Sequence, residues 1–216
     1  MGAKDWMLVY AAGDVGAALR STPALDRAAT RDLIGRLYPG ARIIPTEDGS
    51  LASANPAGGV VLAGCFPGVT IVCTEDAALD RPSLLARQFL EEARGRTLYL
   101  HAMHSVVEWF AYAVWNGDGG LRRSLSLSPD SGVMENLGSP SAFEEPYWAG
   151  LRPLELDDAL DDDCEDEEPY PLPFHPLEMA EDALRHLLGF TYEGEQLDGD
   201  PHLDDIVLAG FVVGST

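Results

Sequence analysis

The chain has 216 residues, 46% of them hydrophobic, with 22 glycines and 15 prolines. That is enough apolar content for one globular core and too many turn formers for a simple helical bundle. The formal net charge is −22, spread unevenly: residues 1–150 hold 12 Lys+Arg against 17 Asp+Glu, and residues 151–216 hold 2 against 19. A field of that sign repels phosphate backbones and anionic membranes, so no nucleic acid and no membrane is expected among the partners.

Along the chain, Trp6-Met-Leu-Val-Tyr-Ala reads as a short strand buried on both faces. Asp14 is placed to cap a short helix over residues 15–20. Leu25, Ala29, Leu33 and Leu37 form the stripe of a second helix that ends at Pro39-Gly40. A short strand over residues 42–46 carries Pro45, which suits a sheet edge or a strand end. Residues 47–59 read as a loop. Two β-rich runs then flank Pro67-Gly68, a hairpin signal.

A helix is expected from Arg81-Pro82-Ser83 to about Ala93. Residues 97–115 are the most apolar part of the chain and read as two strands broken near His104-Ser105. The turn Asn116-Gly-Asp-Gly-Gly leads into residues 121–128, where Leu alternates with Arg or Ser as in a half-buried return strand. Residues 128–153 look turn-rich. Residues 155–168 carry ten acids and no base, and the Pro-rich stretch to 176 reads as extended. A helix with Pro176 at its first position and a last buried strand over residues 205–213 follow.

These elements imply one α+β domain over residues 1–216, with a mixed or mostly antiparallel sheet and three to four helices. Residues 155–175 are expected to be a disordered acidic and Pro-rich insertion, because core-forming elements lie on both sides of it. Long insertions cost little loop-closure entropy. Three cysteines, Cys65, Cys73 and Cys164, make no disulfide framework. The start lacks the basic and apolar regions of a signal peptide, and no stretch nears ~18 consecutive apolar residues. A cytoplasmic location is the expectation.

Chemistry is thinly signalled. His101, His104 and Glu108 are the nearest approach to an acid–base or metal cluster. His104 and Glu108 would share a face on a helix, but the order H-x-x-H-x-x-x-E is not that of a zinc protease. On a strand His101 and His104 point to opposite faces, one satisfied in the core and one exposed. Cys65 and Cys73 sit on the two arms of one hairpin, where they would be neighbours or two separate buried thiols. Gly13-Asp14-Val15-Gly16 lies where phosphate loops sit, without a phosphate-loop pattern. Asp198 and Asp200, with Glu193, Glu195, Asp204 and Asp205, do not follow a calcium-loop order. No cofactor or resident metal is expected.

The stretches Gly2-Ala-Lys-Asp-Trp-Met-Leu-Val-Tyr-Ala, Ala63-Gly-Cys-Phe-Pro-Gly, the run from Tyr99 through His101 and His104 to Trp115, and Ser124-Leu-Ser-Leu-Ser-Pro-Asp-Ser-Gly-Val resemble an uncharacterised family of actinobacterial proteins, a domain of unknown function. The resemblance implies a cytoplasmic bacterial protein and carries over no activity. The residues themselves favour a non-enzymatic binding or regulatory protein of the immunity kind. Its acids Asp157, Asp158, Asp161, Asp162, Asp163, Glu165, Asp166, Glu167 and Glu168 would meet a basic protein partner. The alternative is a hydrolase or metal-assisted enzyme with its site near His101, His104 and Glu108.

Overall fold

The structure, a computed structural model, describes residues 2–154 and 170–214. The acidic run and its nine named partner-binding acids lie outside the described residues, as does Cys164.

The expected α+β balance is not what the chain forms. Its centre is one nine-stranded sheet in which every pairing is antiparallel. The strands are β1 (Lys4–Ala11), β2 (Arg42–Ser50), β3 (Val60–Phe66), β4 (Val69–Cys73), β5 (Thr97–His104), β6 (Trp109–Trp115), β7 (Leu121–Ser128), β8 (Gly132–Gly138) and β9 (Val207–Gly214), in the order β2-β9-β3-β4-β1-β5-β6-β7-β8. The described residues form five α-helices rather than three or four: α1 (Val15–Arg20), α2 (Arg27–Leu37), α3 (Arg87–Glu92), α4 (Glu145–Trp148) and α5 (Pro176–Leu188). Two of the departures have a local cause. Pro82 opens only a short 3-10 turn, and Leu85, with ψ 133, breaks what would have been one long helix before α3. Residues 132–138 look too polar for a strand, yet pairing with β7 makes them the sheet edge.

The sheet is covered on both faces, which explains why β1 and β4 read as continuous apolar runs. One face carries Met7, Val9, Ile71, Cys73, Phe110, Tyr112, Leu125 and Leu127 beneath α1 and α5. Helix α5 lays Met179, Ala180, Ala183, Leu184 and Leu188 on it. The other face carries Leu8, Val72, Leu98, Leu100, Ala102, Ala111 and Ala113 beneath α2 and α3, whose Leu33, Ile34, Leu37 and Phe89 are buried. Each such side chain contributes about 1.5–3 kcal/mol when fully buried.

Two features fix the outline. Strand β9, late in the chain, lies between β2 and β3. Helices α1 and α5 meet at Gly16 and Gly189. A Cβ on Gly189, whose φ is +79, would lie 2.7 Å from the Gly16 Cα, so the contact requires glycine there.

Candidate functional site

The fold separates the three residues singled out for chemistry. His101 and His104 leave β5 on opposite faces, and Glu108 sits beyond both, in a left-handed conformation (φ 47) that ends the turn between β5 and β6. Glu108 accepts a hydrogen bond from Tyr170 Oη at 2.6 Å and faces His175 Nε2 at 3.6 Å. It therefore ties the β5–β6 turn to the segment that leads into α5.

His101 is only 1% exposed and Asp5 is fully buried. Register places Asp5 opposite Met103 and His101 opposite Met7, so the two side chains share the α5 face. His101 Nδ1 lies 3.0 and 2.9 Å from the two carboxylate oxygens of Asp5, and its Nε2 lies 3.0 Å from the carbonyl oxygen of Ala180 in α5. A carbonyl only accepts, so Nε2 carries a proton. A second proton lies between Nδ1 and the carboxylate. The pair is therefore neutral as a unit, whichever partner holds that proton. Burial opposes charge on His101, but the Asp5 carboxylate beside it and the bond to Ala180 outweigh burial and leave its pKa raised. Burial also raises the Asp5 carboxyl, against the pull of His101. Both ring nitrogens are committed and both side chains are buried, so this pair fastens α5 to β5 and β1.

A second ionic group, absent from the sequence reading, lies further along the same face. Arg123, fully buried on β7, donates to Glu144 from Nε at 2.9 Å and from Nη2 at 2.5 Å. Its Nη1 donates to Asn136 Oδ1 and to the carbonyls of Leu137 and Gly138, which staples the β8 edge. Glu144 also accepts from Tyr112 Oη, Ser141 N and Trp148 Nε1. Burial pushes the Glu144 carboxyl up, but these bonds, led by Arg123, bring it below its usual range. An arginine pair, Arg122-Arg123, opening a Leu/Ser strand and an aspartate two residues before a buried Met are the sequence signals for the two pairs.

The remaining candidates resolve singly. Cys73 lies opposite Leu62 and Cys65 opposite Thr70, and the two thiols belong to opposite faces. Asp14 caps α1 by accepting from Ala17 N at 2.6 Å. Asp200 is held by Arg185 at 2.6 Å. Among the described residues no three metal-ligating side chains gather, and no helix is long and apolar enough to cross a membrane.

Two of the surface clefts bear on function. The first, about 640 Å³, lies between α5 and the stretch after α4, with Glu178, Glu181, Asp182 and Glu193 on its walls and Arg152 and His175 at its sides. Arg152 precedes the acidic run in sequence and His175 follows it. Glu181 accepts from the amides of Tyr192 and Glu193, and Asp182 from Tyr147 Oη. Arg152 lies 4.0 Å from Asp182.

The second cleft, about 300 Å³, opens at the end of the sheet where β1 and β6 begin and β5 and β7 finish, on the α2 face. Its walls include Trp6, His104 and Trp109, with Asp80 and Asp130 exposed at the mouth. The Trp6 ring lies 5.9 Å from that of His104 and 6.0 Å from that of Trp109, inclined by 46° and 60°. His104 Nδ1 and Trp109 Nε1 are buried without a hydrogen-bond partner among the described residues, a cost of about 1–3 kcal/mol each.

With this geometry in place, residues 5–211 match a family designated DUF6928, a family of unknown function. The chain belongs to that family. The match spans β1 to β9 and takes in both ionic pairs and both clefts. No curated protein and no solved structure matches the chain.

Proposed function

We propose that this member of DUF6928 is a non-enzymatic, cytoplasmic binding or regulatory protein whose acidic surface holds a basic protein partner, as immunity proteins do. The observation that carries the reading is the placement of the charge. Ten of the 36 acids fall in residues 155–168, and four more, Glu178, Glu181, Asp182 and Glu193, line one folded cleft. Negative charge concentrated in this way attracts a cationic surface and speeds its encounter.

The buried polar groups support the same reading from the other side. An acid–base pair that serves catalysis must reach a substrate, whereas Asp5, His101, Arg123 and Glu144 have exposures of 1% or less and spend their polar atoms on the fold. An enzyme built around His101, His104 and Glu108 has less behind it, because those residues face three separate surroundings.

The test is capture of a basic protein from the native lysate by the full chain, repeated across rising salt and with residues 157–168 removed. Capture that weakens with salt and is lost with the run supports the reading. Unchanged capture after the deletion, or no capture at low salt, sinks it.

A further inference from the structure

We infer that the aromatic cleft on the α2 face is a binding site for a small organic cation with an alkylated ammonium head. The inference stands apart from the acidic-surface reading, since the cleft shares no residue with the α5 cleft and lies on the opposite side of the sheet.

Four observations meet there. First, the shape: a cavity of about 300 Å³ is at the small end of ligand sites and suits a head group or a small metabolite rather than a protein surface. Second, the walls: the indoles of Trp6 and Trp109 meet at 60° and form a corner, with His104 on the strand between theirs. A corner of indole faces is what a cation bearing methyl groups packs into, because the ring quadrupole attracts it and no N–H needs an acceptor. Third, the charge: Asp80 and Asp130 stand at the mouth. Lys4, opposite His104 in register, is the base nearest the rings, and the charge of Arg81 acts on the Glu135 carboxyl. Burial and then Lys4 hold the His104 pKa below its usual value, so at neutral pH the ring presents no positive charge to a ligand.

Fourth, the hydrogen bonding: two ring nitrogens in these walls lack partners, while both ionic pairs across the sheet are fully bonded. Natural folds break their own rules mostly at functional positions. Trp109 is 9% exposed and so is packed into the wall. Val107, 48% exposed on the adjoining turn, adds an apolar rim against which an alkyl tail can lie.

The experiment titrates the full chain with choline, with tetramethylammonium and with 3,3-dimethylbutan-1-ol, the uncharged carbon analogue of choline. Ionic strength is held constant with sodium chloride, and tryptophan emission and calorimetry are the readouts. Saturable binding of both ammonium ions is expected, with the neutral alcohol about tenfold weaker or more. Trp6→Leu should abolish it, and Asp130→Asn should weaken it several-fold. Asp130 is exposed and Trp6 only half-buried, so both variants should fold, and urea midpoints verify that they do. Removing residues 157–168 should leave the affinity unchanged, which separates this site from the acidic surface. The inference is overturned by no saturable binding, by equal affinity for the neutral alcohol, or by binding that survives Trp6→Leu and disappears with the acidic run.

Discussion

On the α5 side of the sheet, charge is buried in matched sets: Asp5 with His101, and Arg123 with Glu144 and six further partners. On the α2 side small polar side chains such as Ser124 and Thr30 are buried among the apolar ones, and the buried polar atoms without partners among the described residues include Tyr10 Oη, His104 Nδ1, Trp109 Nε1 and Ser126 Oγ. The contrast bears on function. Buried charge is not in itself a sign of a site: where every lone pair and proton is used, it specifies which helix docks on which strand. The face with loose ends carries the aromatic cleft.

The sharpest way to break the comparison is Arg123→Met, which leaves Glu144 buried without its counter-charge. A loss of about 3–5 kcal/mol in urea unfolding is expected, and a loss below about 1 kcal/mol would show that this network is not what holds β8 and α4 in place. Next comes the pH dependence of the Asp5–His101 pair. Both pKa values are raised on folding, so the folded pair keeps a proton that the unfolded chain releases above about pH 6.5. The stability due to the pair is complete below that pH and declines as pH rises through the folded pKa, by at most about 1.4 kcal/mol per pH unit. Urea midpoints measured from pH 6 to 9 should show the decline in the wild type and a flatter profile in Asp5→Asn.

The smallest effect belongs to the α2 face. Ser126 is fully buried with its hydroxyl unpartnered, so Ser126→Ala removes an unsatisfied group. A change within about 1 kcal/mol of zero, or a gain, is expected. A cost as large as that of Arg123→Met would erase the distinction between the faces.

Much of the strand content is legible in the sequence, because a strand buried on both faces is a short unbroken apolar run. Strands β1, β4 and β6 are of that kind, and so is the core of β9. The hairpin turns at Pro67-Gly68 and residues 116–120 are written in turn chemistry. Strand β8 is not legible. Glu135 points inward to Ser83 and Ser124, and Asn136 accepts from Arg123, so its polar residues are satisfied by distant partners rather than by solvent. Residues 47–50 were read as loop, yet β2 continues through them across an irregularity in its pairing with β9. The opposite facing of His101 and His104 follows from strand periodicity. Their neighbours do not, since Asp5 lies 96 residues from His101 and only the strand order brings them together.

The position of β9 has a consequence for how the chain reaches this state. Strand β2 pairs with nothing but β9, and β3 pairs with it on one side. Until the residues after the acidic run arrive, the Val60–Phe66 strand shows an open apolar edge, the kind of surface that recruits other chains. Closure across so many residues is entropically late and slow. The assembling protein therefore passes through a stage in which a sticky edge waits for its last strand, and a strongly like-charged segment, whose repulsion keeps molecules apart, lies in the stretch of chain that must be crossed to close it.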